Sequence, residues 1–452
     1  MKARYFSLLL VALVCCSACG APSLRHKKEI NKLLAQGEYL AASNQLEAAK
    51  NKEYKAKEAL LYYLDNGAVY HDSGLVAESD ELLDLAQKRI DELFTQSVSG
   101  HAGRYLINDL TIPYYPAPFE QALTYYYRAM NFLSRGYVNS ALVEANKAVY
   151  YLAQLRGSKS GGYRDDPFVQ YFASLIFESA GKLDDARISR TRAYQAYQNS
   201  GKKDLAETFV FDKPVEGWGE VVLVHANGQV PLKKSKTFQV LWADIIIWGR
   251  SLRKLHYLDV ETNRNTESAD DGMFTIEMEN AVLAGLVPNS LTISYPVLEA
   301  QNYEIKSSEA VTADGRVHPT RLVGDIEGAI QADLEEKRIP TFVRAGARAI
   351  VKKIAAEQAG KAMQEATEDA NIGELTTMIL NFLGALTERA DTRQWFTLPA
   401  QMRLTRFYVA PGRQDIVLRF KDGFGNIISE HTFQNVLIRP NGRVYLHYRT
   451  AK

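Results

Sequence analysis

The sequence has 452 residues, of which 46% are hydrophobic and 24% are charged. This length is enough for two or three hydrophobic cores, and the composition is typical of a globular protein. There are 54 Lys and Arg residues against 53 Asp and Glu residues, which gives a formal net charge of +1. Because a chain without an excess of basic residues has no general attraction for a phosphate backbone, the balance argues against nucleic acid as a partner.

Residues 1–18 have the layout of a secretory signal. Lys2 and Arg4 precede an apolar run over residues 6–14, which is too short to cross a bilayer, and small residues follow it. The Ser-Ala-Cys-Gly sequence at 17–20 resembles a bacterial lipoprotein signal, whose cleavage would leave Cys19 as a lipidated N-terminus. Such signals usually carry Leu where this chain has Cys16, so a neighbouring cysteine as acceptor and a cleaved signal without lipid are the alternatives.

All three cysteines lie in this leader, at positions 15, 16 and 19. The mature chain therefore has no disulfide to form and no thiol for catalysis or metal binding. The residue after Cys19 is not Asp, and in this the chain resembles lipoproteins that are sent to the outer membrane. We therefore expect an outer-membrane lipoprotein that faces the periplasm, and exposure on the cell surface is the alternative. We predict a short tether over residues 19–28.

Residues 29–204 contain a repeated pattern that is centred on glycine. An aromatic or aliphatic residue stands four positions before each glycine and an apolar one two positions after it. The four glycines are Gly37, Gly74, Gly136 and Gly181. Small residues follow five positions later, at Ala42, Ser79, Ala141 and Ala186, and again twelve positions later, at Ala49, Ala86, Ala148 and Ala193.

This spacing predicts four helical hairpins. Glycine takes a positive φ at low cost, so it ends the first helix of each hairpin, and the small residues let a neighbouring helix approach the second one closely. The pattern resembles the tetratricopeptide repeat, whose stacked hairpins present a concave groove for a protein or peptide. Positions three and ten before the glycines should line that groove: Leu64, His71, Tyr126, Leu133, Tyr171 and Glu178. Packing between repeats is the alternative role for these aromatic residues.

Two insertions interrupt the array, over residues 96–118 and 156–167, and we expect the binding surface to include them. The Gly-rich stretch 157–162 does not have the spacing of a phosphate-binding loop and is predicted to be a flexible connector.

After a linker over residues 205–219, residues 220–452 are predicted to form an α+β domain. The strands 220–224 and 229–232, with Asn-Gly between them, predict a hairpin. Further strands are predicted at 237–242, 255–260, 274–278 and 291–297. An Ala-rich helical segment over 325–390 should contain helices at 325–337, 341–370 and 374–390. Turn residues at regular spacing predict antiparallel strands over 394–450.

Three motifs in this domain resemble an uncharacterised family of bacterial tetratricopeptide lipoproteins. They are Trp218-Gly-Glu-Val-Val-Leu-Val with Gly228-Gln-Val-Pro, Ile293-Ser-Tyr-Pro, and Asp391-Thr-Arg-Gln-Trp-Phe-Thr-Leu-Pro. The resemblance implies a surface or periplasmic lipoprotein, and its members are often encoded beside lipoproteins that resemble activators of peptidoglycan synthases. It implies no activity and no catalytic residue.

No sequence motif for chemistry is found, and we predict no catalytic residue, cofactor or metal. The eight histidines form no local pair at metal-ligand spacing, and the acidic loop 261–272 lacks a calcium-binding frame. The sequence therefore predicts a lipid-anchored periplasmic adaptor without enzymatic activity, which binds envelope proteins through its repeats. The alternatives are a component of a secretion or polysaccharide-export apparatus, and an envelope hydrolase or glycan-binding enzyme that uses residues 215–452.

Overall fold

The computed structural model describes residues 22–98, 113–157, 165–200, 215–241, 290–338, 358–365, 367 and 390–452. Several predicted segments lie outside these ranges: the signal 1–18, Cys19, and the strands 255–260 and 274–278. Most of the helices 341–370 and 374–390, of the linker and of both insertions lies outside them as well.

Eight α-helices form the N-terminal half of the described chain, and they pair along the sequence as four hairpins. Their bounds are α1 Leu24–Ala35, α2 Tyr39–Ala49, α3 Ala59–Asp72, α4 Val76–Val98, α5 Pro118–Ser134, α6 Val138–Gly157, α7 Pro167–Ser179 and α8 Leu183–Asn199. A π-helical turn, Lys50–Tyr54, and a short 3-10 helix, Ala56–Glu58, connect α2 to α3.

The four predicted glycine turns are confirmed. Gly37, Gly74, Gly136 and Gly181 have φ values of 76°, 83°, 79° and 72°. In each turn the amide that follows the glycine donates to the carbonyl five residues earlier, as from Tyr137 to Phe132 at 2.8 Å. This Schellman arrangement satisfies carbonyls that the end of the first helix leaves free.

The small residues of the repeat face the neighbouring helices, with one exception. The residues five positions after the glycines are all buried, and so are Ala86, Ala148 and Ala193 at twelve positions. Ala49 is only half-buried, because α2 ends there and the chain continues as a π-helical turn.

The first helix begins inside the segment that we predicted to be a tether. Ser23 caps α1 by accepting a hydrogen bond from the amide of His26 at 3.2 Å. Lys27 is buried, and its Nζ donates to the carbonyl of Thr392 at 2.7 Å. The last residues of 19–28 are thus part of the folded array.

Ten strands make up most of the rest of the described chain. Their bounds are β1 Gly219–Asn227, β2 Leu232–Leu241, β3 Ser290–Glu299, β4 Ser307–Val311, β5 Val317–Pro319, β6 Arg321–Asp325, β7 Gln401–Val409, β8 Gly412–Lys421, β9 Ile427–Ile438 and β10 Arg443–Thr450. Helix α9, Ile326–Glu336, follows β6 and is capped by Asp325, which accepts from the Gly328 amide at 2.9 Å. It confirms the first helix of the predicted segment 325–390.

The strands form three sheets. A first four-stranded sheet has the order β10-β1-β7-β6, and a second has the order β5-β4-β8-β9, while β2 pairs with β3 alone. Strand β1 runs parallel to β10 and antiparallel to β7. The predicted hairpin between 220–224 and 229–232 is wrong: both edges of β1 are taken by β7 and β10, so β2 leaves this sheet and pairs with β3.

The first sheet lies between the helical array and the second sheet. Val222, Val224 and Ala226 of β1 belong to one core with the array, whereas Val221 and Leu223 belong to a core shared with the second sheet. Because successive side chains of a strand point to opposite faces, β1 is buried along its whole length. The main core therefore contains residues from both sides of the predicted linker, and it joins the array to the α+β domain.

No helix among the described residues is long and apolar enough to cross a membrane.

We expect His225 to make folding sensitive to acid. Its ring nitrogens lie 2.8 Å from Ser308 Oγ and 2.7 Å from Thr450 Oγ1, and burial lowers the pKa of the ring well below its usual value. As the pH falls through about 6.5, the unfolded chain takes up a proton that the folded chain does not, so the folded state is destabilised. Between pH 7 and pH 5 this one group should cost up to about 2 kcal/mol.

Urea unfolding at both pH values checks this expectation. His225→Gln keeps a donor and an acceptor for the two hydroxyls and should show a smaller loss of stability on acidification than the unchanged protein. Equal losses in both proteins would contradict it.

Candidate functional site

The predicted groove residues lie on one face of the array, and that face is covered by the chain's own strands. Leu64, His71, Tyr126, Leu133 and Tyr171 are all buried. Tyr126 Oη lies 3.4 Å from Nδ1 of His447 in β10, and Tyr171 Oη accepts from Arg406 Nη1 of β7 at 3.4 Å. The structure therefore corrects the predicted occupant of this face, which is the first sheet of the same chain and not a separate partner.

Glu178, the sixth groove residue, joins the array to the first sheet through an ion-pair network. Its Oε2 accepts from Arg406 Nη2 at 3.1 Å and from Arg443 Nη2 at 2.8 Å. The same two guanidinium groups donate through Nε to Glu220 at 2.6 and 2.7 Å. Arg190 also contacts Glu178. All three groups from the sheet are largely buried, so this network is shielded from salt better than a surface pair.

A row of buried acids on and next to α3 makes the second set of contacts. Glu58, Asp65 and Asp72 are spaced by seven residues, or about two helical turns, which places them on the same side of this segment. Each of them meets a partner from the α+β domain. A buried carboxylate is costly unless it is paired or hydrogen-bonded, so the row requires these partners.

The first acid of the row pairs with Arg393. Oε1 of Glu58 accepts a hydrogen bond from Arg393 Nη1 at 3.0 Å, and the side chains of Glu58 and Arg393 are 1% and 4% exposed. Arg393 also donates to Asp391 Oδ2 at 2.7 Å, which holds the guanidinium in place. Burial raises the pKa of Glu58, while the guanidinium acts in the opposite direction.

The second acid, Asp65, holds the backbone of residues 396 and 397. Its Oδ1 accepts from the amides of Phe396 at 3.1 Å and Thr397 at 3.4 Å, and its Oδ2 accepts from Tyr54 Oη at 3.0 Å. Thr397 Oγ1 also donates to the backbone carbonyl of Asp65 at 3.1 Å. Burial raises the pKa of Asp65, and the hydrogen bond from Tyr54 opposes that shift.

Glu120 of α5 holds the residue between these two contacts. Its Oε1 accepts from the amide of Trp395 at 2.9 Å, while its Oε2 accepts from the Ala117 amide at 2.7 Å. The indole of Trp395 is fully buried and lies 5.5 Å from the ring of Tyr127. Residues 391–399, one of the three sequence motifs, are therefore the segment that seats on the acids of the array. We call them the docking segment.

The third acid of the row, Asp72, lies in a polar cluster under β10. Its Oδ1 is 3.3 Å from His447 Nε2, and its Oδ2 is 3.4 Å from Arg449 Nε. The rings of His71 and His447 are 4.3 Å apart. Burial lowers the pKa of His71 to about 4 and that of His447 to about 3, and it raises the pKa of Asp72 to about 6.

Among the described residues, His71, Asp72 and His447 also form the one group that could hold a metal ion. Their potential ligand atoms lie within 4.8 Å of one another. The sequence did not predict this group, because His447 is 375 residues from Asp72 along the chain.

Sequence reasoning missed the acids although the signal was present. Helices of a repeat array usually bury apolar side chains on their inner faces, and three acids at a spacing of seven on such a face call for buried partners. The pattern predicts the need for partners, but it does not identify them, because the docking segment is about 330 residues away.

Comparisons with known proteins give weak structural likenesses. No protein-family model and no curated protein matches the chain. The crystal structure of MamA is similar over 39% of this chain and 86% of its own, with 17% identity and a TM-score of 0.23. MamA AMB-1 in a P212121 crystal is similar over 40% of this chain and 85% of its own, with 12% identity and a TM-score of 0.23.

Removing Asp65 should be strongly destabilising. Asp65→Ala leaves two buried amides and one buried hydroxyl without their acceptor, and we expect a loss of about 3–5 kcal/mol in the free energy of unfolding. Asp422→Ala is the matched control, because Asp422 accepts from backbone amides in an exposed turn.

Urea denaturation followed by circular dichroism measures both effects. The control should unfold at nearly the same urea concentration as the unchanged protein. A loss of stability in Asp65→Ala no greater than in the control would show that the docking segment does not depend on this carboxylate.

Proposed function

We propose that this chain is a lipid-anchored scaffold protein of the cell envelope, without enzymatic activity of its own, that binds a protein partner on the outer surface of its helical array. The array and the first sheet act as one body in this proposal. The envelope process that we favour is assembly associated with peptidoglycan synthases, which the lipoprotein motifs imply. The periplasmic side of the outer membrane is the proposed location.

The observation that carries the proposal is the closure of the concave face. A repeat array usually binds its partner in the concave groove, but here the docking segment, β7 and β10 fill it. Partner binding is then left to the opposite surface, which the second helices of the hairpins form. Large apolar side chains are exposed on these helices, and they include Leu40, Leu85, Val143, Tyr150, Leu183, Ile188 and Tyr194.

The second helix of the third hairpin offers the most suitable pair. Val143 and Tyr150 of α6 are 53% and 68% exposed, and their spacing of seven places them on one side of the helix. A tyrosine supplies a large contact area at a low entropic cost, which is why it is enriched in protein interfaces.

The anchor would hold this body close to the membrane. Helix α1 begins at Leu24 and is capped by Ser23, so the chain takes four Cα-to-Cα steps from the proposed lipid on Cys19 to this cap. Even fully extended, they span at most about 14 Å. A scaffold with so short a connection to its lipid would reach partners near the membrane surface and not across the envelope.

Crosslinking from single positions tests the partner surface. A photoreactive phenylalanine analogue at position 150 should give a specific crosslinked product in cells, and Val143→Ser should reduce that product several-fold, because it removes half of the apolar pair. The same analogue at position 424 is the control, since Phe424 is 93% exposed at the tip of the β8–β9 hairpin.

A product from position 424 that Val143→Ser leaves unchanged, together with none from position 150, would contradict the assignment of the partner surface.

Replacement of the proposed lipid acceptor tests the anchor. Cys19→Ala should move the protein from the membrane fraction to the soluble fraction, because the variant lacks the sulfur that would carry the proposed lipid. Cell fractionation and mass spectrometry of the N-terminal peptide measure this change. Retention of the variant in the membrane fraction, with no lipid on the unchanged protein, would refute the anchor.

A further inference from the structure

Two histidines and an aspartate that could serve as metal ligands come together where the array meets β10. His71 and Asp72 come from the end of α3, and His447 comes from the middle of β10. His71 is 5% exposed, and the side chains of Asp72 and His447 are 1% and 11% exposed. Two imidazoles and a carboxylate from separate parts of the chain thus meet in a buried position.

His71 is held as a metal-binding histidine usually is. Its Nδ1 lies 2.6 Å from Asn131 Oδ1, and Asn131 in turn donates through Nδ2 to Ser79 Oγ at 2.8 Å. Because the amide nitrogen of Asn131 is used as a donor, Oδ1 is the acceptor and the proton of His71 lies on Nδ1. Such a hydrogen bond orients the ring and leaves Nε2 with a free lone pair.

The Nε2 of His71 is buried and has no hydrogen-bond partner among the described residues. An unsatisfied buried nitrogen costs free energy, and a ligand at this atom would remove that cost. The unpartnered Nε2 of His71 points to a ligand independently of the clustering of the three side chains.

The spacing of the other two groups also fits two ligands of one metal ion. Nε2 of His447 and Oδ1 of Asp72 are 3.3 Å apart, which is longer than usual for an N–H donor and a carboxylate. Two ligands on a tetrahedral zinc ion, each at about 2.0–2.1 Å, lie about 3.4 Å apart. On the other side of the His447 ring, Tyr126 Oη lies 3.4 Å from Nδ1.

Arg449 shares Asp72 with this site without blocking it. Its Nε approaches Oδ2, while its Nη1 donates to the carbonyls of Ala226 at 3.3 Å and Thr450 at 2.6 Å. The guanidinium is thereby held on the far oxygen of the carboxylate, and Oδ1 stays available to a cation.

We propose that His71, Asp72 and His447 bind one zinc-like divalent ion, which fastens β10 to the third helix of the array. Imidazole nitrogen with one carboxylate oxygen is a ligand set that suits zinc, and a solvent molecule would complete the tetrahedron. The ion would link the two halves of the molecule across 375 residues of sequence. This proposal does not depend on the proposed function.

Metal titration of the purified full chain tests the site. The protein is stripped with a chelator, is shown to be folded by its near-ultraviolet circular dichroism, and is then titrated with Zn²⁺ and with Co²⁺. We expect one Zn²⁺ per chain by elemental analysis, the intense visible absorption of tetrahedral Co²⁺, and a higher melting temperature with metal. A folded chain that binds no stoichiometric Zn²⁺ would overturn the proposal.

Two histidine variants and a matched control locate the ion. His71→Gln and His447→Gln should each weaken Zn²⁺ binding at least tenfold and abolish the Co²⁺ absorption. His431→Gln should bind as the unchanged protein does, because the ring of His431 stacks on Tyr448 at 3.9 Å, on the other face of the first sheet.

If one of the two variants fails to fold, Asn131→Ala replaces it. That change leaves all three ligands in place but frees the His71 ring, and it should weaken Zn²⁺ binding about tenfold or more. Binding of one Zn²⁺ with unchanged affinity by the folded variants would also overturn the proposal.

Discussion

The buried carboxylates of the helical array are the constraint on which the rest of the structure depends. Glu58, Asp65 and Glu120 are buried in the array, and the docking segment supplies a guanidinium and backbone amides that compensate for the burial of these charges. The same acids that would destabilise an isolated array therefore specify where the α+β domain sits. Glu178 and the two arginines of the first sheet repeat this arrangement at the other end of the face.

This constraint changes what the repeat can do. The concave face of the array is covered by strands of the same chain, so it is not free to bind a peptide. The repeat instead packs against β1, β7 and β10. Strand β1 is buried on both faces and binds the helical core to the sheet core. A partner surface on the second helices, and a metal ion under β10, are both consistent with a rigid body of this kind.

The sequence predicted the features that local physics determines. The glycine turns and the buried small residues follow from φ and from close helix packing, and the strands β7 to β10 follow from turn residues. The prediction that all strands of 394–450 are antiparallel is wrong for β10, which pairs with β1 in parallel. The pairing of β1 was not predictable from the Asn-Gly turn, because its parallel partner β10 lies more than 200 residues away. The groove residues were placed on the right face, but which surface covers that face is decided by contacts between distant segments, as are the neighbours of His71 and Asp72.

Native-state hydrogen exchange in increasing urea tests the central claim most directly. If the acids fasten the sheet into the array, the slowest amides of α3, α5 and α7 and those of β1 and β10 open with the same free energy and the same urea dependence. Exchange of the strands at low urea, while the helices remain protected, would show that the array stands without the sheet and would contradict the account.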